Sequence, residues 1–470
     1  MDDDAKRRAL LGVLLSIFMG AMESTVVATA MPKVVEALGN IQMYSWVFSG
    51  FLLTSTVTMP LWGRLSDLYG RRRTFLTGLT IFLVGSALSG LSTAMWQLIA
   101  FRMLQGLGAG SLITIGMTIV GDLYGLERRA KMQGYISGVW GVASLVGPLL
   151  GGFLSDYASW RWIFFINLPI GGVAIGLIGA ALRGETRPQR RPVIDYSGLV
   201  LFTVGISALL LGVLEGGRAG TWAGTEALAP LVLAAVALIA FVSVERRVPE
   251  PIVPLRLFGI RMVLAAALTG FLAGMAMFGA ISFVPLFMQA VAGASATLSG
   301  SVLTPFILGW TACSIGSARL VFKVGYRNIV LAGMACLTVA FLLFTRWSES
   351  LSPLTAMRDV LLAGVGMGCT MVPMLIAVQG AVPRQDLGAA TSVTQFFRTI
   401  GGAIGLSMMG ATMAHRLQAA RGMAEALHGV FVVGLIVCVG ALVSAFLVPS
   451  GRAQDLAAAS MSGEPTGAGG

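Results

Sequence analysis

The chain has 470 residues, of which 56% are apolar and only 11% are charged. Soluble proteins carry about 25% charged residues, so the composition excludes an ordinary soluble domain. The net charge of +11 would suggest nucleic acid as a partner of a soluble chain, but membrane proteins concentrate Lys and Arg in cytoplasmic loops. We expect no nucleic-acid partner. The four cysteines lie in apolar segments without metal-ligand spacing, so we expect neither a metal site nor a disulfide.

Apolar windows of 18 or more residues recur along the chain, which is typical of a polytopic helical membrane protein. They predict fourteen spans, near residues 9–31, 45–62, 74–93, 96–121, 134–156, 162–182, 197–215, 226–244, 262–289, 298–317, 329–345, 355–378, 387–412 and 428–448. A cytoplasmic N-terminus places most of the 32 Lys and Arg residues in inside loops or tails. The positive-inside rule therefore predicts that both termini are cytoplasmic.

The first predicted span carries an ionisable residue far from either membrane surface. Glu23 lies roughly 20 Å from the cytoplasmic end of the span, at about 1.5 Å per residue. A carboxyl group at that depth costs at least a few kcal/mol and marks a functional site by default; a structural ion pair is the alternative. The segment Ala21–Val27, followed by Ala30-Met31-Pro32, resembles the first-span motif of the fourteen-span drug:proton antiporters of the major facilitator superfamily. That family usually has aspartate here, and the resemblance implies a proton-coupling carboxylate.

The loop after the second span has an ordered pattern of glycines and charges. It reads Gly63-Arg64-Leu65-Ser66-Asp67-Leu68-Tyr69-Gly70-Arg71-Arg72-Arg73. This sequence resembles the signature loop between the second and third helices of the same superfamily. The resemblance implies a conformational latch formed by Gly63, Arg64, Asp67, Gly70, Arg71 and Arg72. A generic basic loop on the cytoplasmic side is the alternative.

The fourth span contains Arg102-Met103-Leu104-Gln105-Gly106, which resembles the Arg-x-x-Gln-Gly motif of the superfamily's antiporters. Counted from the outer ends of their spans, Arg102 is about 9 Å deep and Glu23 about 12 Å deep. We therefore expect the two side chains to pair. Burial favours the neutral form of a carboxyl group and a cation favours the charged form, so the pair is suited to proton exchange. Gln105 is a candidate for either substrate contact or packing.

The fourth span ends at Asp122, near the arginines of the signature loop. In the family an acid at this place clamps the loop in the outward-facing state. A surface carboxylate without that role is the alternative.

The fifth span is rich in glycine, with Gly138, Gly147-Pro148 and Gly151-Gly152. Small residues four apart allow close helix packing, and a central Gly-Pro favours a kink. The stretch 138–152 resembles the antiporter motif, which uptake carriers of the superfamily generally lack. A plain packing helix is the alternative.

We expect an all-α fold with two six-helix bundles in a pseudo-twofold arrangement and an inserted two-helix hairpin. The N-terminal bundle comprises residues 1–182, the linker and hairpin 183–261, and the C-terminal bundle 262–449. The Ala/Ser/Gly-rich tail 450–470 is expected to be a disordered cytoplasmic segment.

The second half contains a degenerate copy of the signature loop, Ala318–Arg327. Gly325 aligns with Gly70, and Phe322 stands where the first copy has Asp67. Parallel repeats of this kind are expected in transporters. Further on, Arg398 lies near mid-depth in the thirteenth span with no acid of the second bundle at its depth, and both a substrate contact and a structural role stay open.

With these observations, the resemblance implies a bacterial inner-membrane exporter of lipophilic small molecules that works by alternating access. No nucleotide-binding loop occurs in the sequence, so we expect a proton gradient as the energy source and no cofactor. The expected partners are lipophilic substrates, protons and the lipid bilayer. We expect the protein to be a monomer, and an accessory export partner stays open. The alternatives are an exporter of an endogenous lipid, metabolite or sugar, and a membrane-embedded transferase. The transferase is disfavoured because the two histidines are not near paired acids.

Overall fold

The computed structural model describes residues 2–40, 43–183, 195–219, 222–419 and 422–450, and contains no strand within these ranges. The helices are α1 (Asp3–Leu38), α2 (Tyr44–Tyr69), α3 (Arg71–Leu91), α4 (Met95–Leu123), α5 (Leu126–Tyr157), α6 (Trp162–Phe165), α7 (Asn167–Ala181), α8 (Tyr196–Ala219), α9 (Thr225–Glu245), α10 (Arg261–Ala290), α11 (Ala296–Ser301), α12 (Thr304–Val324), α13 (Tyr326–Phe344), α14 (Pro353–Ala381), α15 (Leu387–Gln418) and α16 (Met423–Ala445). The predicted disordered tail and most of the predicted linker before α8 lie outside the described residues.

When the helices are judged by length and composition, fewer of them qualify as membrane spans than the sequence predicts. Within the described ranges, eleven helices are long and apolar enough to cross a membrane, or twelve if the two parts of α1, bent by 42° after Glu23, form one span. The helices α2 and α15 are not among them, because their apolar character is diluted by Ser, Thr and other polar residues. The protein is therefore an all-helical, polytopic membrane protein, and fourteen spans are not confirmed.

The helices group into two compact units. Unit 1 comprises Met1–Gly125, Tyr135–Asp195 and Arg384–Val393, and unit 2 comprises Leu126–Gly134, Tyr196–Pro383 and Thr394–Gly470. The first turns of α15 thus belong to unit 1 and the start of α5 to unit 2. The domain boundaries predicted above stay a prediction.

In unit 1, glycines bring the backbone of α4 close to its neighbours. A Cβ atom on Gly106 would lie 2.6 Å from the Phe51 carbonyl oxygen of α2, and one on Gly108 would lie 2.4 Å from the Gly78 carbonyl oxygen of α3. Small residues at helix contacts allow this approach in a membrane. The close packing fixes α4, which carries Arg102 and Gln105, against α2 and α3.

In unit 2, α8 packs on α9 and also contacts α15. Phe202 of α8 contacts Phe241 of α9 and Phe396 of α15, with ring centroids 5.1 and 5.4 Å apart. The Ser407 hydroxyl of α15 donates a hydrogen bond to the Val213 carbonyl of α8. The middle of α15 is therefore held by α8.

Candidate functional site

Glu23 is fully buried and has a hydrogen-bond donor on each carboxylate oxygen. Arg102 Nη1 of α4 donates to Oε1 and forms an ion pair with it. Asn167 Nδ2 of α7 donates to Oε2 across 2.9 Å. The structure thus brings Glu23 and Arg102 together, and adds an amide from a third helix.

The guanidinium group of Arg102 is also held by several other contacts. Its Nη1 donates to Gln105 Oε1 across 2.8 Å, and its Nε donates to the Val47 carbonyl oxygen across 3.5 Å. The group lies over the Phe51 ring, 4.2 Å from its centroid. Cation–π contacts strengthen when water is excluded, and Arg102 is only 1% exposed. The charge on Arg102 is therefore compensated without solvent.

Asn167 and Ser86 also belong to the hydrogen-bonded site around Glu23, and the sequence predicts no role for either of them. Asn167 Nδ2 contacts Ser86 Oγ across 3.0 Å, and the Ser86 hydroxyl donates to the Phe164 carbonyl oxygen across 2.9 Å. Both side chains are fully buried. The signal was present in the sequence, since Asn167 is a lone amide in the apolar run Trp162–Leu168, but a single amide does not indicate which helix it faces.

Some polar atoms beside Glu23 have unused hydrogen-bonding capacity. Among the described residues, Gln105 Nε2 and Asn167 Oδ1 are buried without a hydrogen-bond partner. Leaving such a group unpaired costs about 1–3 kcal/mol. The amide groups of Gln105 and Asn167 therefore lie beside Glu23 with hydrogen-bonding capacity left over.

At the other end of α2, Asp67 joins three segments of unit 1. Its Oδ1 accepts hydrogen bonds from Arg71 Nη1 and, across 2.9 Å, from the Gly388 backbone N–H. Its Oδ2 accepts from the Ala389 N–H across 2.8 Å. A carboxylate at a helix N-terminus is stabilised by unpaired N–H groups and by the helix dipole, and residues 388 and 389 form the first turn of α15. Asp67 therefore caps α15.

Arg71 extends this network to α4. Its Nε donates to Asp122 Oδ2 across 2.8 Å, and its Nη1 donates to Ser66 Oγ across 2.8 Å. The structure thus brings Asp67, Arg71 and Asp122 together.

The other residues of the signature loop lie around this network. A Cβ atom on Gly63 would lie 2.5 Å from the Gly388 carbonyl oxygen, so α2 and α15 are in close contact there. Arg64 Nη1 lies 3.9 Å from Asp386 Oδ1. Gly70 has φ of 89° between α2 and α3, a conformation that favours glycine. Arg72 Nε donates to the Gly179 carbonyl oxygen of α7 across 3.1 Å.

The second copy of the loop has the same backbone conformation as the first. Gly325 has φ of 87° between α12 and α13. In this copy the Arg327 guanidinium lies 5.6 Å from the centroid of the Phe446 ring. The repeat is therefore present in the backbone, while the aspartate of the first copy has no counterpart in the second.

Two of the five predicted positions on α5 contact α1, two and six residues beyond Glu23. Cβ atoms on Gly147 and Gly151 would each lie 2.0 Å from a threonine Oγ1 of α1, that of Thr25 and that of Thr29 respectively. In contrast, Gly138 and Gly152 have no heavy atom within 4 Å of such a Cβ position, and Pro148 is exposed.

This difference gives a matched pair of substitutions. We expect Gly151→Ala to destabilise the protein by about 1–3 kcal/mol through overpacking, because the new methyl group would also lie 2.6 Å from the Val26 carbonyl oxygen. Gly152→Ala adds the same group to the next position with nothing within 4 Å. Thermal unfolding in detergent measures both variants. Equal stability of the two would show that the contact with α1 is unimportant.

The helical architecture, a buried Glu–Arg pair and two copies of a glycine–arginine loop define a polytopic membrane transporter. The chain belongs to the Major Facilitator Superfamily, whose model matches residues 13–406. It is a transporter and not an enzyme.

Relatives of known sequence agree with this assignment. The chain is 40% identical over 411 residues to the Multidrug transporter protein MdtP of Bacillus subtilis (strain 168), covering 87% of this chain and 76% of that protein. It is 35% identical over 401 residues to Multidrug resistance protein 3 of the same organism, covering 85% and 78%. The crystal structure of the human organic anion transporter MFSD10 (TETRAN) is similar, with a TM-score of 0.66 at 18% identity, covering 93% of this chain and 100% of that one. This last likeness concerns the fold alone.

Proposed function

We propose that the protein is a proton-coupled exporter of lipophilic small molecules that works by alternating access. The observation that carries the proposal is the fully buried carboxylate of Glu23, bound by Arg102 and Asn167. Relatives that are named as multidrug transporters, at 35–40% identity, support the substrate class.

Coupling follows from the charges at this site. With Glu23 ionised, its charge balances that of Arg102; with Glu23 protonated, the arginine is left without compensation in a dry environment, which is costly. Access to water from the proton-rich side loads the carboxyl group, and access from the other side releases the proton. The proton binds one conformational state more tightly than the other. Proton binding therefore shifts the equilibrium by the difference between these two affinities.

The Asp67 network serves as the latch of this cycle. It holds the first turn of α15 against the end of α2 through two backbone hydrogen bonds. Contacts that exist in one state alone bias the equilibrium by about 1–3 kcal/mol. We propose that these contacts form in only one of the two states.

We place the protein in the bacterial inner membrane as a monomer with both termini in the cytoplasm. The fourteen-span topology is part of this proposal. In it α2 and α15 cross the membrane despite their polar residues, and α8 and α9 form the inserted hairpin. The basic residues of the signature loop then lie in the cytoplasm, as the positive-inside rule requires.

Substitutions in the two copies of the signature loop should differ in their effect on transport. We expect Arg72→Ala to reduce transport by roughly twofold to tenfold, the value of one lost hydrogen bond, because Arg72 ties α3 to the Gly179 carbonyl of α7. Arg327→Ala should have a smaller effect, because the second copy has Phe322 in place of the aspartate. Initial transport rates in proteoliposomes compare the two. The reverse order would show that the lost acid does not matter for function.

The proposed function is tested by expression in a cell that lacks its own drug pumps. We expect higher tolerance to several unrelated cationic and neutral toxic compounds, and none in cells with equal amounts of the Glu23→Gln variant. If tolerance does not rise for any compound while export of an endogenous lipid, metabolite or sugar changes, the alternative exporter function is supported instead.

A further inference from the structure

Arg398 is a second cation within a predicted span, and the mechanism above does not use it. It lies eleven residues after the start of α15, roughly 16 Å along the helix at about 1.5 Å per residue. The side chain is half-buried, and among the described residues none forms a hydrogen bond or an ion pair with it. Charged side chains at such depth are expensive and face water-filled cavities or substrate paths.

The backbone around Arg398 is fixed by tight packing against α10. A Cβ atom on Gly274 would lie 2.2 Å from the Arg398 carbonyl oxygen, and one on Gly401 would lie 2.1 Å from the Phe271 carbonyl oxygen. Together with the contact of Ser407 with α8, this packing holds the middle of α15 from two sides. Arg398 therefore cannot leave its depth by a small helix shift.

One turn before Arg398, Gln395 offers a second polar group. Its side chain is 4% exposed, and within the described residues its Oε1 atom has no hydrogen-bond partner. Residues three apart lie on the same face of a helix, and an amide group presents either its oxygen or its N–H₂ group to a ligand. Gln395 thus adds hydrogen-bonding capacity beside the uncompensated charge.

An aromatic ring lies on the face of α15 that carries this polar pair. A Cβ atom on Gly402, four residues after Arg398, would lie 2.3 Å from the Phe278 ring of α10, and residues four apart share a helix face. A ligand that binds Arg398 therefore meets an apolar ring beside the charge.

We propose that Arg398 and Gln395 bind the acidic group of an amphiphilic organic monoanion, a carboxylate or sulfonate attached to an apolar body. The inference rests on the proposed exporter function and extends its substrates from lipophilic compounds to lipophilic anions. Arg102 does not serve in this way, because Glu23 already neutralises it. An arginine binds a carboxylate through paired N–H groups, and Arg398 has all of its side-chain donors available within the described part of the chain.

The test is equilibrium binding of pyrenebutanoic acid and of its methyl ester to purified protein in nanodiscs of phosphatidylcholine. No gradient is present, so the result does not depend on proton coupling, and the exporter proposal can fail while this one stands. We expect the acid to bind more tightly than the ester. Arg398→Gln should weaken binding of the acid by about 10- to 100-fold, the range for a hydrogen bond to a charged group, and leave the ester unchanged. Arg346→Gln removes an exposed charge from the same unit and should alter neither.

A second variant keeps the test decisive if Arg398→Gln does not fold. Gln395→Glu places a carboxylate one turn from Arg398 and satisfies the arginine internally, so it should fold, lose binding of the acid and retain binding of the ester. If the acid binds both variants as tightly as wild type, Arg398 is structural and the proposal is wrong. Adding phosphatidylglycerol to the nanodiscs distinguishes the source of the anion. Weaker binding of the acid to wild type alone would assign the same site to an anionic lipid headgroup, and unchanged binding would assign it to a soluble anion.

Discussion

Glu23→Gln is expected to abolish uphill transport while preserving the binding of neutral substrates. The substitution keeps the shape of the side chain and mimics its protonated state permanently, so Arg102 stays without a counter-charge and no proton is exchanged. With a pH gradient imposed on proteoliposomes, the substrate should then reach only its equilibrium distribution. Glu23→Asp should retain part of the activity, because it keeps a carboxyl group and restores the residue type usual in the family that the sequence resembles.

The control for this experiment is a second buried acid that lies in unit 2. Asp359 is 2% exposed and accepts hydrogen bonds from Trp347 Nε1 across 2.9 Å and from Arg358. We expect Asp359→Asn to leave gradient-driven accumulation intact even if it lowers stability. Accumulation at a near-normal rate in Glu23→Gln would show that the proton travels by another route.

Asp67→Asn is expected to reduce transport by about 5- to 150-fold while leaving the protein folded and inserted. This range corresponds to the coupling free energies of about 1–3 kcal/mol that bias a conformational equilibrium. The neutral amide loses the ion pair with Arg71 and turns one of its two acceptor oxygens into a donor. Asparagine therefore cannot accept from both backbone N–H groups of residues 388 and 389, which now bind the two oxygens separately.

Asp122→Asn serves as the comparison for Asp67→Asn. Asp122 contacts the same arginine, but its side chain is 28% exposed against 1% for Asp67, so water can replace much of what is lost. We expect a smaller reduction in initial rates in proteoliposomes. Wild-type rates in Asp67→Asn, with an unchanged melting temperature, would show that the contacts of Asp67 do not act as a conformational latch.

The pairing of Glu23 with Arg102 was accessible from the sequence because hydrophobic spans fix the depth of a residue along the membrane. Two charges of opposite sign at similar depth have few other partners in hydrocarbon. Depth does not specify rotation about the helix axis, and for this reason the amide of Asn167 was not assigned to the same site. Its position beside Glu23 depends on how α7 packs against α1 in the tertiary structure.

The partner of Asp67 on α15 could not be predicted from the sequence, for a different reason. The groups that bind its carboxylate are backbone N–H groups of residues 388 and 389, which every non-proline residue carries. No side-chain pattern therefore marks them, although 321 residues separate the first from Asp67. The contact of Arg71 with Asp122, in contrast, joins two charged side chains and was foreseen from the family resemblance.

The number of spans differs because hydropathy and helix formation are separate properties. The sequence predicts α2 and α15 as spans from apolar windows near residues 45–62 and 387–412, and the structure forms them as helices of 26 and 32 residues. Polar residues along α15, among them Gln395 and Arg398, lower its apolar character. Such residues are tolerated within a bundle where they line a polar path, which is the role proposed for them here.

The central claim, that substrate export is coupled to inward proton flow, is tested most directly by proton movement in wild-type proteoliposomes. A pH-sensitive dye inside the vesicles reports protons while a substrate gradient is imposed in the absence of any pH gradient. Antiport predicts that substrate leaving in one direction drives protons in the other, that the pH change requires substrate, and that Glu23→Gln abolishes it. Substrate flux at the same rate with no pH change in wild-type protein would contradict the account.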